Sequence, residues 1–571
     1  MVRSLLPASE AGKGWPSTEL PPGPTRVLNS LSLWRAITSN TTVLTALYPG
    51  YHPVFIEQPP PFHHTSRPIT NPAIIDFLTM DLQTQLSQHQ LREVFPNPGS
   101  RPTFSSRARV IAKPHQPNKF RLIVDYRFLN SHIEHLHFRC QDLSSLQHTI
   151  QPHDHMCVLD LQDGYRHIPL HPEAQPLLAF NILGRHFEPQ ALNFGLTTAP
   201  FIFTKCMSAP VAHLRSQGIR VSAYLDDFII AAPTREATIR SRDTVVSLLQ
   251  ALGLSVHPTK GTWEPSQEVN YLGLVVDCSG EAPLFRIPED KQQQVREAAK
   301  ALLCQHNRAG FLTLRALQSF CGLTNFLSRA LNCARFFNRE LFNCLKQQAM
   351  FSRRLGLAKA TANPHQHIHL SPQAIRDLEW WRDNTLLQSC SRPVAPPSLE
   401  LAVRLTTDAS TQGWGCLLGD QVTGSDRWNP TTAARHINAK ELQAVECALS
   451  LHLPALSGRR VLLFTDNTSV CHILRSGTTR SEDLIPDLRR IWSLLLDNHI
   501  DLHPRYVPTD ENPADAPSRR VDAYGQQLRP AIFQDLNRIW GPHQVDRFAD
   551  SANTLLPQYH TFWPTPFASG T

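Results

Sequence analysis

The sequence has 571 residues, of which 41% are hydrophobic and 18% are charged, and its formal net charge is +7. This length and composition predict two to four folded domains, and the basic excess is compatible with a polyanionic partner. The 12 cysteines include no Cys-x-x-Cys pair, and no apolar run reaches the roughly 18 to 20 residues that span a bilayer. These features argue against a disulfide scaffold, a zinc finger, a membrane protein and a secreted chain, and they favour an intracellular one.

Changes in composition and periodicity along the chain predict six segments. Apolar residues recur at helical spacing in the third of them, and a cluster of prolines and serines marks the fourth. No internal repeat relates the two α/β patterns, so they are expected to be different domains. The predicted segments are a partly irregular N-terminal extension (1–95) with one helix in "NPAIIDFLTMDLQTQL", a mixed α/β region (96–285), a helical region (286–387), a linker (388–400), a second α/β region (401–520) and a C-terminal tail (521–571).

Two adjacent aspartates interrupt the apolar run "RVSAYLDDFIIAAPT" at 226 and 227. Burying a lone carboxylate is costly, and a second one beside it raises the cost unless a cation is bound. Asp160 interrupts another apolar strand, in "CVLDLQDGYRHIPL", and a strand beside a hairpin tip can bring all three acids together. Asp160 could instead end a strand and the pair could form a hairpin turn, but the apolar flanks argue against a simple turn. Mg²⁺ prefers such oxygen ligands, and two such ions support phosphoryl transfer.

These two motifs, "LDLQDGY" and "YLDD", resemble the carboxylate motifs of reverse transcriptases. The resemblance implies an α+β right-hand polymerase, with fingers and palm over 96–285 and a helical thumb and connection over 286–387. It implies that Asp160 and Asp226 are the main metal ligands and that Asp227 supports them. Two Mg²⁺ ions per active site, with Mn²⁺ as an alternative, are the expected cofactors.

Further motifs in the same order complete the resemblance. "ARVIAKPHQPNKFRLIVDYRFLN" resembles the fingers hairpin, with strands at 107–112 and 120–125, and "LNFGLTTAPFIFTK" resembles the next motif. Basic residues on the hairpin can offset a triphosphate, although a solvated hairpin edge is the alternative. An aromatic ring five residues after Asp160 implies exclusion of a 2′-hydroxyl, with a core tyrosine as the alternative. The implied nucleotide-binding residues are Lys113, Arg121, Tyr165, Phe194, Gly195 and Lys260.

The region 401–520 resembles an α/β ribonuclease H-like domain with two-cation chemistry. Its motifs "LTTDASTQGWG", "HINAKELQAVECALSLHL", "VLLFTDNTSV" and "ENPADAPSR" supply four acids in the family's order. The alternatives are structural: Asn438 and Glu441 fit a capping arrangement, and the last two aspartates fit helix N-termini. A histidine found in many relatives before the last aspartate is missing, and His503 lies further upstream. The implied catalytic and metal-binding residues are Asp408, Glu441, Asp466 and Asp515.

The nuclease motifs and the tail "IWGPHQVDRFADSANTLLPQY" look like those of DIRS-type retrotransposon polyproteins. The implied partners are an RNA template, a DNA primer, the RNA–DNA hybrid and deoxynucleoside triphosphates, with separate recombinase or capsid-like proteins and no membrane. An RNA-directed DNA polymerase with ribonuclease H activity is therefore the expected function. The alternatives are an inactive remnant that binds nucleic acid and a chain with nuclease activity alone. No dense Lys/Arg cluster decides between cytoplasm and nucleus.

Overall fold

The computed structural model describes residues 23–95, 102–113, 116–138, 140–331, 333–354, 365–383, 391–395, 399–519, 530–547 and 554–560. The chain divides into two compact units: residues 1–288 with 393–395, and residues 289–392 with 396–571. No helix in the described ranges is long and apolar enough to cross a membrane.

The first unit combines short N-terminal helices with two main sheets. Its helices are α1 (Pro24–Asn29), α2 (Leu31–Ile37), α3 (Thr41–Thr45), α4 (Pro72–Ser87), α5 (Arg127–Asn130), α6 (Ala199–Ser216) and α7 (Arg235–Ala251). Its strands are β1 (Phe62–His63), β2 (Leu91–Val94), β3 (Phe104–Lys113), β4 (Gln116–Val124), β5 (His155–Leu161), β6 (Phe180–Ile182), β7 (Arg185–Pro189), β8 (Arg220–Tyr224), β9 (Asp227–Ala232), β10 (Val256–Ser266), β11 (Glu268–Tyr271), β12 (Leu274–Asp277) and β13 (Leu284–Arg286).

The predicted palm contains an antiparallel four-stranded sheet in the order β10-β5-β9-β8. Its central strands are apolar because both their faces are covered, and Phe228, Ile229 and Ile230 on β9 are fully buried. Helices α6 and α7 pack against β8 and β9. The predicted fingers hairpin is β3 paired with β4, in a register that places Ile111 opposite Arg121.

Residues 23–95 of the N-terminal extension contribute to the core of this unit. Val27, Trp34, Leu47 and Leu78 are buried in the same apolar cluster as the palm residues. The predicted helix is α4, whose N-terminus is capped by Asn71, the side chain of which accepts a hydrogen bond from the amide of Ala73. Helices α1 to α3 have no counterpart in the sequence prediction.

The second unit contains a helical group followed by a mixed sheet. Its helices are α8 (Glu289–Ala309), α9 (Leu314–Leu327), α10 (Ala334–Phe337), α11 (Arg339–Arg354), α12 (Pro372–Asp383), α13 (Pro430–Ala433), α14 (Ile437–Leu451), α15 (Leu453–Leu456), α16 (Thr468–Ser476), α17 (Ile485–Asp497), α18 (Asp515–Ser518) and α19 (Pro530–Trp540). Its strands, with β16 at the boundary between the units, are β14 (Leu312–Thr313), β15 (His367–Ile368), β16 (Ser391–Pro393), β17 (Val403–Ala409), β18 (Gly413–Leu418), β19 (Gln421–Arg427), β20 (Arg460–Thr465), β21 (Asp501–Tyr506), β22 (Val545–Arg547) and β23 (Gln558–His560).

The five-stranded sheet of this unit has the order β19-β18-β17-β20-β21. The first three strands are antiparallel, whereas β17, β20 and β21 run parallel. Parallel strands need helical crossovers, which α14 and the pair α16 and α17 supply.

A buried ion pair joins the helical group to this mixed domain. Arg489 on α17 donates to the carboxylate of Asp377 on α12 over 2.6 Å, and Asp377 is only 1% exposed. The same guanidinium lies 5.1 Å and 5.3 Å from the ring centroids of Phe336 and Phe337. We call this contact the Arg489 joint. Because the Arg489 guanidinium contacts both the aromatic rings and the buried acid, it joins the helical group and the mixed-sheet domain in one interface.

Candidate active sites

The first acidic site lies where β5 meets the turn between β8 and β9. Asp160 on β5 is the direct cross-strand partner of Asp227, the first residue of β9. The amide of Leu161 donates to the carbonyl of Asp226 over 2.9 Å. Sheet pairing therefore brings together the three acids that the sequence analysis grouped.

Asp226 itself lies in a tight turn, which the sequence analysis had argued against. Leu225 and Asp226 link β8 to β9, and Leu225 has a φ of 53°. A non-glycine residue in the left-handed region carries strain, and such residues cluster at functional sites. The apolar flanks that argued against a turn belong instead to the two paired strands.

Burial and the neighbouring negative charges make Asp226 and Asp227 hard to ionise. Burial raises the pKa of Asp227 to about 6, with the charges of Asp226 and Asp160 adding to the effect. The pKa of Asp226 is also raised, first by burial and then by Asp160. Lys260 on β10 partly offsets this charge, with Nζ 3.4 Å from Oδ1 of Asp160. A divalent cation would offset it further.

Three of the predicted nucleotide-binding residues lie together beside these acids. The Tyr165 ring centroid is 4.8 Å from that of Phe194, and the Arg121 guanidinium is 6.0 Å from the Phe194 centroid. Gly195 has a φ of +100°, and a Cβ there would lie 2.8 Å from the carbonyl oxygen of Val124. Only glycine fits such a close approach in that conformation. The side chain of Lys113, also predicted, lies outside the described residues.

The second acidic site lies in the five-stranded sheet domain. Asp408 on β17, Glu441 on α14 and Asp466 at the end of β20 each place one carboxylate oxygen within 4.8 Å of the others. This is the one such group of three among the described residues. Burial raises the pKa of Glu441 to about 9, followed by the charges of Asp408 and Asp466. Oε2 of Glu441 is buried and has no hydrogen-bond partner in the described structure. This oxygen is therefore available to coordinate a cation.

Asp515 stands slightly apart from that group. It is the first residue of α18 and forms an ion pair with Arg519, at 2.7 Å. Its charge nevertheless contributes to raising the pKa of Asp408 to about 6, after the larger effect of burial. The predicted fourth acid, Asp515, is therefore near the group, and its carboxylate is paired with the guanidinium of Arg519.

The capping alternative for Glu441 is wrong. His436 caps α14 by accepting from the amide of Asn438, so Asn438 lies inside the helix. The helix alternative describes Asp466 and Asp515 better: Asp466 precedes Asn467, which caps α16, and Asp515 begins α18. His503 on β21 lies 2.9 Å from Asp501.

Sequence reasoning missed three polar residues around the two sites. His167 is buried beneath the first site, Asn512 donates to Asp408 over 3.1 Å, and Arg519 pairs with Asp515. Asn512 and Arg519 flank the last aspartate in "ENPADAPSR", so the motif itself held a signal. His167, which follows Tyr165 and Arg166, offered no such signal.

Comparison with known proteins identifies part of the first unit. Residues 111–276 match the family described as "Reverse transcriptase (RNA-dependent DNA polymerase)". The chain is 24% identical over 364 residues to Protein P of duck hepatitis B virus (strain China), covering 63% of this chain and 40% of that protein. It is 22% identical over 382 residues to the retrovirus-related Pol polyprotein from transposon 412 of Drosophila melanogaster, covering 65% and 28%. The chain thus spans less than half the length of these relatives.

A solved structure has a comparable fold. It is a foamy viral protease–reverse transcriptase dRH in complex with double-stranded DNA, with a TM-score of 0.50 and 16% identity. The match covers 88% of this chain and 85% of that chain. The predicted reverse transcriptase domain is therefore confirmed, with retrotransposon Pol and hepadnaviral homologues, and the fold is consistent with a polymerase. The ribonuclease H and DIRS-type assignments stay predictions.

Proposed function

We propose that this chain is an RNA-directed DNA polymerase whose second unit cleaves the RNA strand of the RNA–DNA hybrid. The observation that carries the polymerase proposal is the pairing of Asp160 with Asp227 beside Asp226, within a chain that carries a reverse transcriptase domain. Its substrates would be a primed RNA template and deoxynucleoside triphosphates.

We assign divalent cations to the acids of both sites, of which the second set places one carboxylate oxygen from each of three acids within 4.8 Å of the others. Asp160, Asp226 and Asp227 would hold them in the polymerase, and Asp408, Glu441 and Asp466, joined by Asp515, would hold them in the nuclease. Burial and nearby charges raise the pKa of Asp227, and one buried oxygen of Glu441 has no hydrogen-bond partner in the described structure. Both features suit oxygen-preferring Mg²⁺, with Mn²⁺ as an alternative. Such ions, when bound in pairs, activate the attacking oxygen and stabilise the leaving one in phosphoryl transfer.

Side chains around the first site would orient the nucleotide. Arg121 is exposed on β4 and offers a fork of donors to a triphosphate. Lys260, next to Asp160, adds a second cation. The Tyr165 ring, packed between Phe194 and Phe203, would lie against the sugar and exclude a 2′-hydroxyl. These roles select deoxynucleotides and neutralise the phosphate charge.

A nuclease on the same chain would remove the RNA that synthesis leaves paired to the new DNA. Both sets of acids are then used, whereas a DNA-templated polymerase would leave the second set without a role. We propose a DIRS-type retrotransposon origin from the motifs around these acids and the tail. The proposal includes an intracellular setting, with any recombinase or capsid-like proteins supplied separately.

Primer extension tests the proposal directly. The purified full chain is given an RNA template with a labelled DNA primer, deoxynucleotides and either Mg²⁺, Mn²⁺ or EDTA, and in parallel a hybrid with labelled RNA. Metal-dependent extension together with RNA cleavage is expected. Cleavage without extension would leave only the nuclease, and binding without either reaction would identify a non-catalytic remnant.

A further inference from the structure

One buried histidine connects two loops beneath the polymerase site. His167 is 1% exposed, with Nδ1 3.0 Å from the carbonyl oxygen of Gly164 and Nε2 3.0 Å from the amide nitrogen of Ser255. An amide N–H can only donate, so Nε2 accepts and Nδ1 carries the proton that it donates to Gly164. Burial lowers the pKa of His167 to about 4. The neutral ring thus bridges the two loops in one tautomer.

On one side, the bridge ends at the turn that bears the proposed sugar-facing residue. This turn spans Gly164–His167. A Cβ at Gly164 would lie 3.3 Å from Cβ of Asp226 and 3.3 Å from Cζ of Phe203. The Tyr165 ring centroid lies 5.2 Å from that of Phe203. A displacement of the turn therefore moves Tyr165 relative to Asp226.

On the other side, the bridge ends at a loop held by the N-terminal helices. Trp34 on α2 donates from Nε1 to the carbonyl of Leu252 over 3.0 Å, and Arg26 on α1 donates to Oγ of Ser255 over 3.1 Å. Gly253 has a φ of +84°, and a Cβ there would lie 2.5 Å from the carbonyl carbon of Arg26. Helix α1 thus lies directly against the loop.

We propose that His167 is a positioning residue for DNA synthesis, through which α1 and α2 fix the Gly164–His167 turn and with it Tyr165. The two helices bind the 252–255 loop, and the hydrogen bonds of the His167 ring fix the turn relative to that loop. This inference rests on the proposed polymerase activity and gives the N-terminal extension a role in sugar selection and rate.

The first test replaces the ring. His167→Leu removes both hydrogen bonds, whereas His167→Gln keeps an acceptor near the Nε2 position. His167→Leu is expected to lower kcat for deoxynucleotide incorporation about tenfold or more and to reduce the ratio of kcat/KM values for deoxy- over ribonucleotides. His167→Gln should retain most of both. His148 is an exposed histidine of the same unit, and His148→Leu, the control, should match the wild type in both measurements. Hybrid cleavage by His167→Leu should also match that of the wild type.

The second test loosens the 252–255 loop without replacing any residue of the turn. Arg26→Met and Trp34→Phe each remove one hydrogen bond to the loop and should shift the selectivity ratio in the same direction, by less. Amide hydrogen exchange across 162–168 should become faster in these variants and in His167→Leu, with β20 unchanged. These two variants also decide the question if His167→Leu does not fold.

The outcomes separate the two proposals. A wild-type selectivity ratio and wild-type exchange in the variants would overturn the positioning role while primer extension by the wild type stands. Absence of extension by the wild type would count against the polymerase proposal, and exchange at 162–168 would still measure whether the helices hold the turn.

Discussion

Glu441 combines two features that are costly in a metal-free protein. It is 4% exposed, and one of its oxygen atoms has no hydrogen-bond partner in the described structure. A buried carboxylate with one oxygen left without a partner is destabilising unless the group is protonated or bound to a cation. The proposed metal-ligand role would account for keeping a carboxylate at this costly position.

Replacing this acid with its amide should stabilise the metal-free protein. Its pKa is raised from an ordinary 4.5 to about 9, so protonation favours the folded state. That benefit is complete below about pH 4.5 and is lost as the pH rises towards 9. In EDTA, we expect the melting temperature of Glu441→Gln to exceed that of the wild type increasingly from pH 5 to pH 8, by roughly 3 °C or more at pH 8.

Calorimetry with and without Mg²⁺ checks this expectation. Mg²⁺ should raise the melting temperature of the wild type at pH 8 and have little effect on Glu441→Gln. Asp420→Asn, an exposed acid in the same unit, serves as the control. Equal destabilisation of Glu441→Gln at every pH would mean that the carboxylate makes a stabilising contact, against the metal-ligand role.

Tyr165 offers a prediction about selectivity. Tyr165→Ala removes the ring that packs on Phe194 and Phe203, and ribonucleotide incorporation should increase at least about tenfold relative to deoxynucleotides. Tyr165→Phe keeps the ring and should keep the selectivity. Single-nucleotide incorporation kinetics measure both ratios, and an unchanged ratio in Tyr165→Ala would contradict the assignment.

Residues could be predicted from the sequence where they broke a local pattern. Asp160, Asp226 and Asp227 stand out as acids within apolar runs, which is why Asp160 was grouped with an adjacent pair far along the chain, and the sheet does pair Asp160 with Asp227. His167 breaks no such pattern, and its partner Ser255 lies 88 residues away. The sequence around a single histidine does not indicate such a distant contact.

At the scale of elements, strands and helices with strong periodicity were predicted and weak ones were not. Strand β19, "QVTGSDR", has a central glycine and no apolar alternation, and it is formed by pairing with β18. Helices α1 to α3 have 5 to 7 residues each. Helices so short are unstable alone and form here because they pack on the palm.

The contact between β18 and α18 gives a prediction at this scale. A Cβ at Gly415 would lie 2.7 Å from Cβ of Pro517 and from the amide nitrogen of Ser518. Gly415→Ala should displace α18, which begins with Asp515, and lower hybrid cleavage about tenfold or more while DNA synthesis stays within about twofold of the wild type.

A second glycine provides the matched control. Nothing lies within 4 Å of a Cβ at Gly322, which is in the interior of α9. Gly322→Ala should preserve both activities and stabilise the helix slightly, by about 0.5–1 kcal/mol. Retention of full cleavage by Gly415→Ala would show that the position of α18 does not matter to the nuclease.

For the molecule as a whole, the two sets of acids lie in different compact units. Asp226→Asn should reduce DNA synthesis about a thousandfold, since metal-assisted catalysis contributes several kcal/mol to transition-state stabilisation, and should spare hybrid cleavage. Asp466→Asn should do the reverse. Extension and cleavage assays on both purified variants measure this, and a parallel loss of both activities in either variant would contradict two separate sites.

The domain boundaries show what sequence reasoning cannot reach at this scale. The change from mixed to helical periodicity predicted a boundary near 285, close to the observed division after residue 288. Composition gave no sign that the helices that follow share a unit with the five-stranded sheet. That association depends on contacts such as Arg489 to Asp377, which are 112 residues apart.

The Arg489 joint has a practical consequence for exchanging parts between related proteins. A crossover placed in the 388–400 stretch would separate Asp377 from its cation and leave Phe336 and Phe337 facing a foreign surface. A chimeric protein joined after residue 288 would take Asp377 and Arg489 from the same parent, so we expect this junction to be better tolerated.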